Sequence, residues 1–271
     1  MRKLLLAGTA VAVVMAAGSA GAADLSRPVY KAAPPPIPVF SWTGFYVGVH
    51  VGGAWGTKEW SDPSVFFFSG KGGVPTTRFF PDTTINNYGV NGFLGGVQIG
   101  YNYQSGPWVW GVEAQASWAG IRGSDACPFF EGKGTTCKSN VDALGSFAVR
   151  FGGTIDRAML YVKGGLAWAY ERHKISSPGD FDGFGAFSVE NKHWRWGGML
   201  GAGVEFAFTN SISGKLEYNY MDFGTRTYSF AFPGVFPFVS PETVDVKIRQ
   251  NIHLVKVGLN FRWDNPVVAR Y

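Results

Sequence analysis

Apolar and polar positions alternate along most of this chain, most plainly between Ala143 and Tyr170. Phe147, Val149, Phe151 and Ile155 occupy every second place of one run, and Leu160, Val162, Leu166, Trp168 and Tyr170 of the next. Between them lie Ser146, Ala148, Arg150, Gly152 and Thr154, then Met159, Tyr161, Lys163, Gly165 and Ala167. A period of two means extended chain, because successive side chains in a strand leave opposite faces. Asp156 and Arg157 separate the runs; a two-residue turn there sets Ile155 opposite Ala158 and Arg150 opposite Lys163. Each run lasts about thirteen residues, against ~5–6 for a common soluble strand and ~9–11 for one that crosses a bilayer at a tilt. One face uncharged throughout, the other polar and glycine-rich, predicts a transmembrane β-hairpin.

The pattern recurs along the chain. Strands are expected at about 44–55, 89–103, 108–118, 194–208, 212–220 and 255–263, beside the opening pair. The run from Trp108 is the plainest: Trp108, Trp110, Val112, Ala114, Ala116 and Trp118 alternate with Gly111, Glu113, Gln115 and Ser117. Connections alternate between short (near 104–107, 156–157 and 209–210) and long (about 56–88, 122–140, 172–193 and 225–246). Short periplasmic turns and long external loops are the asymmetry of an outer-membrane barrel. Outward aromatics gather at the strand ends: Trp108, Trp110 and Trp263 at the short-turn end, Trp55, Trp118, Trp168, Trp194 and Trp196 at the other. Two belts with aliphatic residues between them form an aromatic girdle. The predicted fold is all-β, an eight-stranded antiparallel up-and-down transmembrane β-barrel.

Composition agrees. Only 16% of residues are charged, while 16% are aromatic and 38 are glycine, which suits an outer face that meets lipid. Arg2 and Lys3, the apolar run from Leu4 to Ala17 and Ala20-Gly21-Ala22 read as a signal peptide over 1–23. Without those two cations the formal charge of +5 falls to +3, too little to point to nucleic acid. Residues 24–41, with five prolines, are expected to form an extended periplasmic linker, 42–263 the barrel and 264–271 a C-terminal tail. Cys127 and Cys137 fall in one loop of an exported chain, and a disulfide between them is expected.

Three stretches carry a family resemblance: Trp42-Thr43-Gly44-Phe45-Tyr46-Val47-Gly48, the proline-rich segment before it, and Val255-Lys256-Val257-Gly258-Leu259-Asn260-Phe261-Arg262. In these the chain resembles the outer-membrane immunogenic proteins of alphaproteobacteria, within the eight-stranded OmpA-type superfamily. The resemblance implies a final-strand aromatic that the barrel-assembly machinery recognises. Because the chain runs eight residues past Trp263 to Tyr271, both are candidates for that signal.

A barrel of eight strands is just wide enough for side chains to fill. Glu113, Arg150, Lys163, Glu205, Lys215, Glu217, Lys256 and Arg262 have inward parity and mixed sign, so a buried ion-pair network is expected. Glu113 is the nearest acid to Arg150, with Glu217 and Glu205 approaching from the Lys163 side. Inward glycines would leave room for water and a slow leak of small solutes. The four histidines, His50, His173, His193 and His253, have no evident serine partner, and no phosphate loop, cofactor motif or metal-ligand set occurs. No enzyme, cofactor or metal is expected.

The long loops are rich in phenylalanine, such as Phe66, Phe67, Phe68, Phe129 and Phe130. They are expected to pack as a lid or extend the barrel as hairpins, with host, lipopolysaccharide or neighbouring-barrel contact as the other reading. The sequence thus points to a structural and surface protein of the outer membrane, in contact with outer-membrane lipid and lipopolysaccharide. A narrow porin is the alternative.

Overall fold

A computed structural model describes residues 40–62, 83–126, 136–177, 186–231 and 243–263. Eight strands follow one another round a closed ring: β1 Gly44–Asp62, β2 Thr83–Ser105, β3 Trp108–Ala126, β4 Thr136–Ile155, β5 Ala158–Ser177, β6 Phe187–Ala207, β7 Ile212–Ala231 and β8 Thr243–Arg262. Each strand pairs antiparallel with the next, and β8 returns to β1. The expected signal peptide, most of the expected linker, the C-terminal tail, Cys127 and the five loop phenylalanines named above lie outside the described residues.

In the β4–β5 hairpin Ile155 faces Ala158 and Arg150 faces Lys163. Its turn has no glycine; Asp156 instead adopts φ 50°, a left-handed conformation that aspartate tolerates. Val162 is 57% exposed on the outer face, whereas Ala148 is 6% exposed on the inner one. Val162→Arg is therefore expected to cost about 2–4 kcal/mol if it lies near the bilayer midplane, while Ala148→Arg is governed by space inside the barrel. Urea titration of protein refolded into lipid vesicles measures both; a harmless Val162→Arg would reverse the assignment of faces.

Trp108, Trp110 and Trp263 point outward at one end of the barrel, and Trp55, Trp118, Trp194 and Trp196 at the other. Trp168 is half-buried because its ring lies against Gly145, where a Cβ would come within 2.5 Å of it. Along β3, ten steps separate Trp108 from Trp118; at ~3.3 Å per residue and a ~40° tilt the belts are ~25 Å apart, the height of a lipid-facing band.

The strands do not stop at the upper belt. They are 19 to 23 residues long, so much of each stretch expected as long loop is strand. Beyond the belt the alternation continues with its chemistry inverted. Trp60, Val90, Ile121, Val141, Ile175, Ile248 and Ile252 are buried inside, while Arg122, Lys138 and Lys174 are exposed outside. Water has replaced lipid there, so the apolar residues turn inward and form a core, each worth about 1.5–3 kcal/mol on full burial.

Irregularities in pairing mark this boundary, between Trp118 and Ile121, Val141 and Ala143, and Asp222 and Thr225. At the last of these Gly224 takes φ 63°. Among the described residues, β6–β7 pairing runs only from Gly198↔Asp222 to Ala207↔Ser213. Above it a seam opens, crossed by side chains: Arg195 Nη2 donates to the carbonyls of Gly224 (2.6 Å) and Ile248 (2.8 Å), and Asn191 Nδ2 to that of Ser229 (3.2 Å).

Candidate functional site: the lumen

Three layers fill the barrel. At the short-turn mouth, residues just before β1 fold into the opening. Trp42 is fully buried against Val109, Met159, Tyr161 and Ala207, and its amide donates to Gln104 Oε1 at 2.7 Å. Arg262 stacks over Trp42 (4.6 Å) and Phe40 (5.3 Å) and donates from Nη1 to the Ser41 carbonyl at 3.1 Å. The sequence groups Arg262 with the lumen ion pairs and Phe40 and Ser41 with the linker; the structure sets all three in this plug. The reason is position: Arg262 lies three inward places below Lys256, at the rim.

The charged layer comes next. Glu113, Arg150, Lys163, Glu205, Lys215, Glu217 and Lys256 are each 4% exposed or less. Glu113 is shared by Lys163 Nζ (2.9 Å), Lys215 Nζ (3.0 Å) and Arg150 Nη1 (3.4 Å). Glu217 is held by Lys163 (2.7 Å), Lys256 (3.1 Å) and Lys215 (3.4 Å). Glu205, expected on the Lys163 side, instead accepts from Arg150 Nη2 at 2.8 Å. It sits lower on β6, facing Met159, and the long Arg150 side chain reaches down to it. Three carboxylates thus face four cations. Low dielectric makes such pairs strong only if every remaining donor and acceptor is also served. Neutral groups supply most of this: Tyr46 and Tyr161 hydroxyls donate to Glu113 and Glu217, each at 2.9 Å, and Ser213 and Asn260 donate to Glu205, while Arg150 Nε is left without a partner.

The two tyrosines are functional residues that charge reading alone misses. Arg150 stacks on the Tyr161 ring at 3.9 Å and donates to Tyr46 Oη at 2.6 Å. Both rings need a glycine opposite: a Cβ on Gly100 would meet Tyr46 at 2.4 Å, and one on Gly203 would meet Tyr161 at 2.6 Å. These inward glycines therefore make room for rings, not for the water pockets expected. The available signal was inward parity combined with a ring.

Above this layer, His50 joins Gln98 Oε1 (2.5 Å) and Ser117 Oγ (2.7 Å). Gln98 continues the chain to Asn260 at 2.7 Å, and Asn260 to Glu205 at 2.8 Å. In the upper layer Glu171 faces Lys58 Nζ at 3.4 Å and Arg195 Nη1 at 3.8 Å. His173 Nε2 lies 3.2 Å from the same carboxylate and its Nδ1 2.9 Å from Ser139 Oγ. The sequence finds no serine for His173; strand pairing supplies one, because Ser139 lies directly opposite it. Ser139, His173 and Glu171 are at most 1% exposed, with the Trp60 ring edge-on to His173 at 6.0 Å. Among the described residues no group of three or more His, Cys, Asp or Glu is placed to hold a metal. Cys137 is buried and disulfide-bonded.

A closed ring of eight strands, apolar outside between two aromatic belts and ionic within, defines a membrane-spanning barrel. The family described as outer membrane protein beta-barrel domain matches residues 9–261, and the chain belongs to it; it is a protein of the outer membrane. The 31 kDa outer-membrane immunogenic protein of Brucella melitensis is 32% identical over 97% of this chain and 100% of its own length. The 25 kDa outer-membrane immunogenic protein of Brucella abortus is 23% identical over 85% of this chain and 89% of its own. Among solved structures, OprG from Pseudomonas aeruginosa aligns with 83% of this chain and 100% of its own at 12% identity and a TM-score of 0.42.

Proposed function

We propose that this protein is a structural barrel that reinforces the outer membrane and displays its long connections at the cell surface, with the short turns and both termini in the periplasm. One observation carries the reading: the lumen is filled at three successive levels, by the Trp42 plug, the ion-pair layer and the apolar core above it. Surface display is supported by the names of the two Brucella relatives. Its partners are then outer-membrane lipid and lipopolysaccharide, the barrel-assembly machinery through Trp263 or Tyr271, and host or neighbouring-barrel surfaces through the loops. We assign it no catalysis: a hydrolytic nucleophile needs a path for substrate and donors for the oxyanion, and Ser139 is 1% exposed, its hydroxyl held between Tyr88 Oη at 2.7 Å and His173 Nδ1 at 2.9 Å.

The test is electrical. Full-length protein reconstituted in planar bilayers is expected to give no single-channel steps at either polarity. Stable, uniform steps would overturn the filled-lumen reading and establish the narrow porin.

A further inference from the structure

We propose that the outward face of β3–β6, immediately above the upper aromatic belt, binds the phosphorylated glycolipid of the outer leaflet, lipopolysaccharide. This rests on the orientation proposed above. Strand pairing places Arg122, Asn140, Arg172 and Lys192 in one row, each opposite the next. In the following row Lys138 lies directly opposite Lys174. Like charges placed so are unfavourable on a sheet.

Among the described residues two carboxylates of outward parity share this face, and both are engaged. Asp142 takes two hydrogen bonds from Arg172, at 2.5 and 2.7 Å, and Glu190, opposite Lys174, lies 3.5 Å from Lys192 Nζ. Arg122, Lys138 and Lys174 are exposed and have no ion-pair partner among the described residues. The neighbouring sector is balanced: on β8 and β1, Lys247 and Arg249 are accompanied by Asp245 and Glu59, with Glu59 directly opposite Arg249. Among the described residues net positive charge is thus greatest on β3–β6, with Arg226 on β7 a further exposed cation.

The surface below completes an amphiphile-shaped site. The first cationic row begins two residues beyond Tyr170 and Trp194, ~5 Å above the belt along a tilted strand, where headgroup phosphates lie. Under the belt, an apolar depression of about 760 Å³ is lined by Val49, Val97, Ala114, Ala116, Phe147 and Trp168, among others. Ala116, Gly145 and Trp168 are paired neighbours, and Trp168 faces the belt residue Trp196, so one end of the depression reaches the belt below the cations while the rest runs across β1, β2, β7 and β8. Acyl chains fit the depression, sugar rings the tryptophan belt, and phosphate the unpaired cations.

Full-length protein in nanodiscs of neutral lipid is titrated with bis-phosphorylated lipid A, dephosphorylated lipid A and phosphatidylglycerol, with binding counted by native mass spectrometry. Saturable binding of the phosphorylated lipid A is expected, and K138Q/K174Q should weaken it roughly 10–30-fold. R249Q, in the balanced sector, should change it less than about 2-fold. Both lysines are exposed, so the variants should keep the wild-type urea midpoint; if the double variant does not fold, K174Q alone should weaken binding about 5-fold. Wild-type affinity in the lysine variants, or equal binding of dephosphorylated lipid A or phosphatidylglycerol, would overturn the site. Conductance separates the two readings: a silent barrel without lipid A binding sinks this site alone, whereas a conducting one sinks the structural reading.

Discussion

Glu113→Gln is expected to lower the unfolding free energy by about 3–5 kcal/mol, the range for removing one partner of a buried ion pair. Glu113 lies between Lys163, Lys215 and Arg150, so its neutralisation leaves four buried cations on Glu205 and Glu217. Glutamine keeps the shape, and the loss is therefore electrostatic. Adding Lys215→Met should recover part of it, because the pair is then removed together. A urea titration in lipid vesicles, run as a double-mutant cycle, reads both numbers. A midpoint unmoved by Glu113→Gln, or zero coupling to residue 215, would falsify the layer as a cooperative unit.

Trp42→Ala should cost a similar amount, about 3–5 kcal/mol for a fully buried large aromatic. It also leaves Arg262 without the indole on which it stacks, whereas Trp42→Phe should cost less. Yet Trp42→Ala should remain electrically silent, since the ion-pair layer and the apolar core still fill the lumen in series behind it. Stability in vesicles and conductance in planar bilayers report the two parts separately. A variant as stable as the parent would show that the plug contributes nothing to the barrel.

What the sequence made legible was the face of each residue. Parity alone put Arg150, Lys163, Glu113 and Glu217 inside and Val162, Leu166 and Trp118 outside, because a strand has only two faces and lipid tolerates no charge on one of them. Parity says nothing of how far a side chain reaches or how the strands are sheared, so the pairing of Glu205 with Arg150 is visible only in the closed barrel. Nor does it reveal what lies beyond the outer face. Once Lys138 and Lys174 replace valine and leucine outside, and Val141 and Ile175 replace serine and glycine inside, the same strand reads as loop. The phase break at Asp142, between Val141 and Ala143, obscured the pattern further. His173 illustrates the cost: its partner Ser139 is 34 residues away and becomes a neighbour only when both stretches are recognised as strand.

The β6–β7 seam gives the barrel two mechanical regimes. Below Gly198 and Asp222 the hydrogen-bond ring is continuous and resists radial strain like a hoop. Above them the hoop is slit, so the collar beyond the upper belt can widen or narrow without breaking a ladder, its spring being the Arg195 guanidinium on the Gly224 and Ile248 carbonyls. Backbone amides of an antiparallel strand alternate between its two neighbours, so about half of those in β6 from Phe187 to Gly197 face the slit. These should exchange with deuterium well before their strand-mates bonded to β5, drawing a line of early exchange down one side of an otherwise slowly exchanging cylinder.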